Sequence, residues 1–151
     1  MNIALSNTDI LKKVDCKFLL NNQLNNITDI NILLPKTLLL YQPAKIGHFT
    51  CVFSNREGIN YFDSYGTVPD TPLKWYPDNH EAGFTFLTKL LTKPNSIIYN
   101  EKKLQSKNTS TCGHWCCIRL IYSNLTNEEF NSCFDGIKNK DELIVKLYES
   151  F

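Results

Sequence analysis

Apolar and polar positions along the chain fall into short runs whose period changes repeatedly. "LSNTDILKKV" opens on Ser6, has Asp9 three residues later and carries Ile10, Leu11 and Val14. That is the pattern of a short helix entered through a capping box. "NNQLNNITDIN" is polar and predicts a loop. "KTLLLYQ" (36–42) predicts a strand, and "PAKIG" after it a turn. "HFTCVFS" (48–54) and "INYFDSY" (59–65) alternate and are rich in aromatic and β-branched residues. "SNREG" between them ends on Gly58, so the pair predicts a hairpin with a short loop. "DNHEAGFTFLTKLLTK" places Phe84, Leu87, Leu90 and Leu91 on one helical face, closed by Pro94. "SIIYN" (96–100) predicts a short strand. "CGHWCCIRLIYS" predicts a buried helix beginning at Cys112. "TNEEF" is a second capping box, Thr126 with Glu129, and "DELIVKLYESF" puts Leu143, Ile144, Leu147, Tyr148 and Phe151 on one face. The order is helix, strands with an inserted helix, then helices. That predicts an α+β fold, with residues 1–151 forming a single domain.

Composition narrows the function classes. A chain of 151 residues with 42% hydrophobic content can bury a real core. The formal net charge of +1 calls for neither a nucleic-acid nor a membrane partner. "INILLPKTLLLYQP" is interrupted by Pro35 and Lys36, so no membrane span is expected. The opening residues lack a basic segment followed by an apolar one, so no signal peptide is expected. The cysteines at 16, 51, 112, 116, 117 and 133 are irregularly spaced. They are expected to be reduced thiols of an intracellular protein, mostly buried. The N-x-[ST] sites at Asn26, Asn108 and Asn124 are then chance products of composition. Asn, Ile and Lys are abundant and arginine occurs only at 56 and 119, which suits an AT-rich genome.

One stretch changes the picture. In "LQSKNTSTCGHWCC" (104–117) a polar loop turns into an apolar helix at a cysteine. A thiol at a helix N-terminus meets the positive end of the dipole and free N–H groups, and both favour the thiolate. Gly113 beside it permits close approach of backbone or substrate. A nucleophilic thiolate needs an imidazole partner. His114 is two residues along the same helix and faces away, and His80 sits at the start of an amphipathic helix. His48 begins a strand after Gly47. With the hairpin centred near residue 55 or 56, opposed residues sum to about 111 and His48 falls opposite Asp63, give or take one. Opposed Cβ atoms lie roughly 4.5–5.5 Å apart, within reach of a His–Asp hydrogen bond. Asp63 is also suited to cap the "DSYG" turn. Gln105 supplies a side-chain amide that, with the Cys112 N–H, can stabilise an oxyanion. Nucleophile, base, orienting carboxylate and oxyanion donor are then all present.

The order His48, Asp63, Gln105, Cys112, with the glutamine seven positions before the cysteine, resembles the adenovirus-protease (adenain) group and the wider clan that includes the SUMO-specific proteases. The matching segments are "GHFTCVF", "YFDSYG" and "LQSKNTSTCGHWCC", and "LSNTDILKK" is similar to the family's opening helix. Papain-type enzymes run Gln, Cys, His, Asn, so the chain order sets them aside. The resemblance implies a papain-like core in circularly permuted order, with a mostly antiparallel central sheet and the nucleophile at the N-terminus of a buried helix. It implies Cys112 as nucleophile, His48 as general base and then acid, Asp63 as its orienter, and Gln105 in the oxyanion hole. It also implies a narrow cleft for a polypeptide substrate cut at small-residue sites. Gly47, Phe49, Trp75 and Gly113 are the expected cleft-lining residues. Phe49 stands where the family commonly has Trp.

Viral members cut capsid and core precursors during virion maturation, and small DNA viruses of the virophage or Polinton kind carry proteases resembling this one. Virion and infected cell are the implied location. No cysteine lies between Cys51 and Cys112 and the charge is +1, so neither a disulfide-linked peptide nor DNA is expected as activator. Another activating peptide stays open. No cofactor or metal is expected, since "CGHWCC" lacks the second ligand pair of a structural zinc site. Cys51, Cys116 and Cys117 read instead as core, as does Trp115. Two alternatives remain: a protease for ubiquitin-like modifiers with the same site, and a binding domain that kept the fold without the activity.

Overall fold

A computed structural model describes residues 4–42, 47–72, 86–91 and 97–151. Five strands form one sheet in sequential order, β1 (Lys17–Leu20), β2 (Lys36–Tyr41), β3 (His48–Asn55), β4 (Gly58–Phe62) and β5 (Ile97–Tyr99). The pairings of β2 with β3 and of β3 with β4 are antiparallel, whereas β1 with β2 and β4 with β5 are parallel. The fold is α+β as expected, but the sheet is mixed rather than mostly antiparallel. Only β3 runs against the other four strands. Hairpins can join only neighbours in sequence, while β1 and β5 return through long connections that make their pairings parallel.

Among the described residues there are five helices: α1 (Asn7–Leu11), α2 (Phe86–Leu91), α3 (Cys112–Ile121), α4 (Asn127–Ser132) and α5 (Lys140–Glu149). Both expected capping boxes are present, Ser6 with Asp9 and Thr126 with Glu129. The polar stretch after β1, expected as a loop, forms two 3₁₀ turns at Asn21–Asn26 and Ile30–Leu33. They bury Leu24, Ile30 and Leu33. The expected helix over 78–93 is described only at α2, where Leu87, Leu90 and Leu91 are buried. Phe84 and Pro94 lie outside the described residues.

The two faces of the sheet carry separate apolar layers. Leu38, Cys51, Phe53 and Phe62 pack with Trp115, Cys116, Cys117, Ile118, Phe130 and Ile144 from α3, α4 and α5, and with Phe134 from the turn after α4. Leu39, Val52 and Tyr61 pack on the other face with the 3₁₀ turns and α2. Alternation along β2, β3 and β4 therefore sorts side chains between two cores, so β3 is buried on both faces over its first six residues. Buried helix α3 is anchored at its far end by Arg119. That guanidinium donates to the carbonyls of Tyr122 and Leu125 (2.8 and 2.9 Å) and lies against the rings of Phe53 and Phe130. The expected face of α5 is partly corrected. Ile144 and Tyr148 are buried, but Phe151 is 53% exposed, beyond the helix, and meets the ring of Tyr122.

All six cysteines are free. Cys51, Cys116 and Cys117 are core, Cys16 and Cys112 are half-buried, and Cys133 is exposed, so burial is less general than expected. No described helix is long and apolar enough to cross a membrane.

Candidate active site

The hairpin register decides where His48 and Asp63 meet. Opposed residues of β3 and β4 sum to 113, not 111, as Cys51 faces Phe62 and Asn55 faces Gly58. The turn is later than expected because Asn55 opens it, its side-chain oxygen accepting from the Glu57 N–H at 2.9 Å, and Gly58 takes φ +124°. A change of two in the sum moves each partner by two residues and so preserves its face. Position 63 is therefore diagonal to His48 rather than opposite it. β4 ends at Phe62, and the Asp63 carboxylate reaches back, with Oδ1 at 2.9 Å from His48 Nε2. The residue continuing opposite His48 is Tyr65, whose ring stacks on the imidazole at 5.1 Å and 19°.

Asp63 serves the turn as well as the histidine. Its Oδ1 also accepts from the Tyr65 N–H (2.9 Å), Oδ2 accepts from the Thr67 hydroxyl, and its carbonyl accepts from the Gly66 N–H (2.8 Å). Gly66 has φ +75°, and a Cβ there would lie 2.8 Å from the Glu101 carbonyl oxygen. Buried Asn100 clasps the Asp63 backbone from β5's end, accepting from its N–H (3.1 Å) and donating to its carbonyl (2.6 Å). The carboxylate is thus fixed on a rigid corner and is fully buried.

Cys112 is the first residue of α3. The N–H groups of a first helical turn lack intrahelical partners. The Phe49 N–H donates to Cys112 Sγ at 3.5 Å, and the Gly113 N–H and His48 ring also bond to the sulfur. Since Nε2 of His48 is engaged by Asp63, Nδ1 is the atom facing the thiol. Burial opposes ionisation of both groups, yet their mutual bond overrides it. The Cys112 thiol is held below its ordinary 9.0 by His48 and by the Phe49 and Gly113 N–H groups. The His48 pKa is lifted to about 9, because bonds to Asp63 and Cys112 outweigh the desolvation that lowers it. Three other thiols are shifted the opposite way. Burial pushes the Cys16 thiol up to about 11 and Cys117 up to about 12, and holds Cys116 well above its ordinary range. An imidazolium–thiolate pair is consistent with only one of these thiols.

Gln105 is buried and oriented. The Ser64 hydroxyl donates to its Oε1 at 2.6 Å, and its Nε2 donates to the Thr109 carbonyl at 3.0 Å. Its backbone N–H bonds the Ser64 carbonyl (2.9 Å), which ties the loop before α3 to the Asp63 corner. Gln105, His48 and Cys112 line one cleft of about 570 Å³, together with Gly47, Phe49, Tyr65 and Gly113. Added Cβ atoms at Gly47 and Gly113 would lie 2.8 Å from Leu40 Cδ1 and 3.2 Å from Ile10 Cδ1. The walls are therefore already close at both glycines. Leu5, ahead of α1, forms part of the same wall.

Seven of the eight site residues expected from sequence thus converge on this cleft or its support. Trp75, the eighth, lies outside the described residues, as does His80. His114 is buried away from Cys112, edge-on to the Tyr148 ring. Among the described residues no cluster of His, Cys, Asp and Glu is arranged to hold a metal ion.

Sequence reasoning missed Tyr65, Ser64, Asn100 and Asp141. Tyr65 was reachable from the hairpin register, had the turn been centred correctly. Ser64 and Asn100 carry no local signal, since each acts across the fold. Asp141 does carry one. Asp141, Ile144 and Tyr148 are the buried positions of α5, so a carboxylate occupies an apolar-face position of an amphipathic helix.

No family model matches the chain. A Sputnik virophage protein described as "Uncharacterized protein V9" is 35% identical over 164 aligned positions, covering 96% of this chain and 94% of the virophage protein. The chain belongs to the family of that virophage protein. This similarity points to a virophage origin, with an infected host cell as its setting.

Proposed function

We propose that the protein is a cysteine endopeptidase that cuts capsid or core precursor proteins during virion maturation. The observation that carries the reading is His48 held between the Asp63 carboxylate and the Cys112 sulfur at the head of a buried helix. The resemblance of "GHFTCVF", "YFDSYG" and "LQSKNTSTCGHWCC" to adenain-type proteases supports it, as does the virophage relative. On this reading the sheet and α3 are the permuted papain-like core, and the cleft lined by Gly47 and Gly113 takes an extended polypeptide cut at small-residue sites.

The groups present define the steps. The Cys112 thiolate adds to the scissile carbonyl carbon, and the carbonyl electron pair moves onto oxygen. The second N–H of Gln105 Nε2 and the Cys112 backbone N–H receive that oxyanion. The His48 imidazolium protonates the leaving amine as the C–N bond breaks. Neutral His48 then deprotonates a water that attacks the thioester, and the thiolate is released. Asp63 holds the ring in one orientation throughout, and Tyr65 stacks on it.

Gln105→Ala is expected to lower kcat by about 10²–10³-fold, the usual loss for one oxyanion donor. KM should change little, since the amide meets charge that exists only in the transition state. Steady-state kinetics on a peptide substrate check this. The function itself is tested by incubating the purified protein with the virophage's capsid precursor, with a Cys112→Ala control. Internal cuts made only by the wild type are expected. Trimming of a C-terminal tail from a ubiquitin-like fusion, with the capsid protein left intact, would assign the site to modifier processing instead.

A further inference from the structure

The loop between Gln105 and Cys112 is built around a carboxylate from the far end of the chain. Asp141, in the first turn of α5, is 2% exposed. Its Oδ2 accepts from the Ser106 N–H at 2.9 Å. Its Oδ1 accepts from the Thr111 hydroxyl at 2.6 Å and from the Trp115 indole N–H at 3.1 Å. Three donors thus converge from the loop's first residue, its last residue and the first turn of α3. Asp141 is not the cap of its own helix, because Asn139 fills that role by accepting from the Glu142 N–H at 3.0 Å. Thr111, for its part, precedes α3 without capping it, its hydroxyl being spent on the carboxylate.

The two groups that would receive the oxyanion flank this loop. The Gln105 side chain rests on the Thr109 carbonyl, and Thr109 Oγ1 lies 3.1 Å from Thr111 Oγ1. The Cys112 N–H follows Thr111 directly. A carboxylate can accept several N–H and O–H bonds at once, each stronger than a neutral one. An amide in its place would present a donor to one of these donors.

We propose that Asp141 is a positioning residue for the oxyanion hole: by gathering Ser106, Thr111 and Trp115 it fixes the distance between the Gln105 amide and the Cys112 N–H. This rests on reading Cys112 as an acyl-transfer nucleophile. It separates two properties of the site. The thiolate–imidazolium pair depends on His48, Asp63 and β3, whereas the oxyanion geometry depends on α5.

The test compares two reactions of Cys112 in the full-length protein. Iodoacetamide alkylation is a displacement at a saturated carbon and develops no oxyanion. Binding of N-acetylglycylglycinal does develop one. The thiolate adds to the aldehyde carbon, the carbonyl electron pair moves to oxygen, and that oxygen takes the His48 proton to give a hemithioacetal with no leaving group. The glycine backbone of this probe makes no demand on side-chain pockets. Asp141→Asn is expected to weaken aldehyde binding by about 10–100-fold, a fraction of the effect of losing a donor outright. Its alkylation rate and the pH dependence of that rate should stay within about twofold of wild type, a split that a merely structural loss would not give. Thr111→Val removes one of the three bonds at nearly constant volume and should give a smaller split of the same sign, which keeps the test available if Asp141→Asn folds poorly. A parallel fall in both reactions in Thr111→Val, or unchanged aldehyde binding in both variants, overturns the positioning role alone. Rapid alkylation of wild type without aldehyde binding overturns the acyl-transfer reading and this inference with it.

Discussion

Cys112→Ala is expected to remove peptide cleavage altogether, a loss on the order of 10⁴-fold or more. No second thiol can substitute. Cys116 is one helical turn away but fully buried, and burial holds its thiol protonated. Stability should change by less than about 1 kcal/mol, because Cys112 is half-buried and its sulfur faces the cleft. Circular dichroism and thermal melting of the variant beside the cleavage assay separate lost chemistry from lost fold. Residual cleavage above about one part in a thousand would place the nucleophile elsewhere.

His48→Ala should be nearly as damaging, and for a reason that can be read at the sulfur. The largest influence on Cys112 is burial, which favours the thiol, and the histidine is the main force against it. Without the imidazole the thiol returns at least to its ordinary range near 9.0. At neutral pH only about 1% of it would then be ionised, so its alkylation rate should fall steeply. Peptide cleavage should drop by about 10⁴-fold or more, since the variant also lacks the acid that protonates the leaving amine. Asp63→Asn should be milder at the sulfur, because its effect on Cys112 passes through the histidine. A His48→Ala protein with undiminished alkylation at neutral pH would show that the thiolate is stabilised by the helix end and the Phe49 N–H alone.

Much of this site was legible in the sequence, and the reasons are specific. Polarity switching at Cys112 marked the helix start, because a polar loop followed by a ten-residue segment whose one charge is Arg119, near its far end, leaves little choice of period. The His48–Asp63 pairing survived an error in register. The sum was wrong by two, and an even error leaves side chains on the correct face. An error of one would have sent Asp63 to the opposite core. The mixed character of the sheet was not legible. β1 spans four residues, one exposed and three half-buried, and β5 only three, too short for any pattern to give direction or partner. Asn100, Ser64 and Asp141 were hidden for a different reason. Each stabilises the site through bonds to residues 26 to 41 positions away, and polar partners at that range have no period. Asp141 alone left a trace, as a charge in the buried stripe of α5.

The placement of Asp141 also enlarges the functional unit. The segments that resemble adenain-type proteases end at residue 117, yet the loop carrying Gln105 is tied to α5. Arg119 and the Phe53, Phe130 and Phe134 cluster join α4 to the back of the nucleophile helix. The C-terminal helices therefore support the site as well as the fold.

The account turns on a thiolate–imidazolium pair between Cys112 and His48. It is tested most directly by mass-spectrometric mapping of iodoacetamide labelling at all six cysteines from about pH 5 to about pH 9.5. Cys133 is the more exposed thiol, so accessibility alone would make it label first. The pair predicts the opposite order below neutrality. Cys112, ionised below its ordinary 9.0, should label ahead of Cys133, hold a plateau through neutral pH and change again near pH 9 as His48 loses its proton. The sign follows from the shifts: a lowered thiol and a raised imidazole leave both groups charged in the interval between them. Labelling of Cys112 that lags Cys133 at every pH, and rises only above 9, would contradict the account.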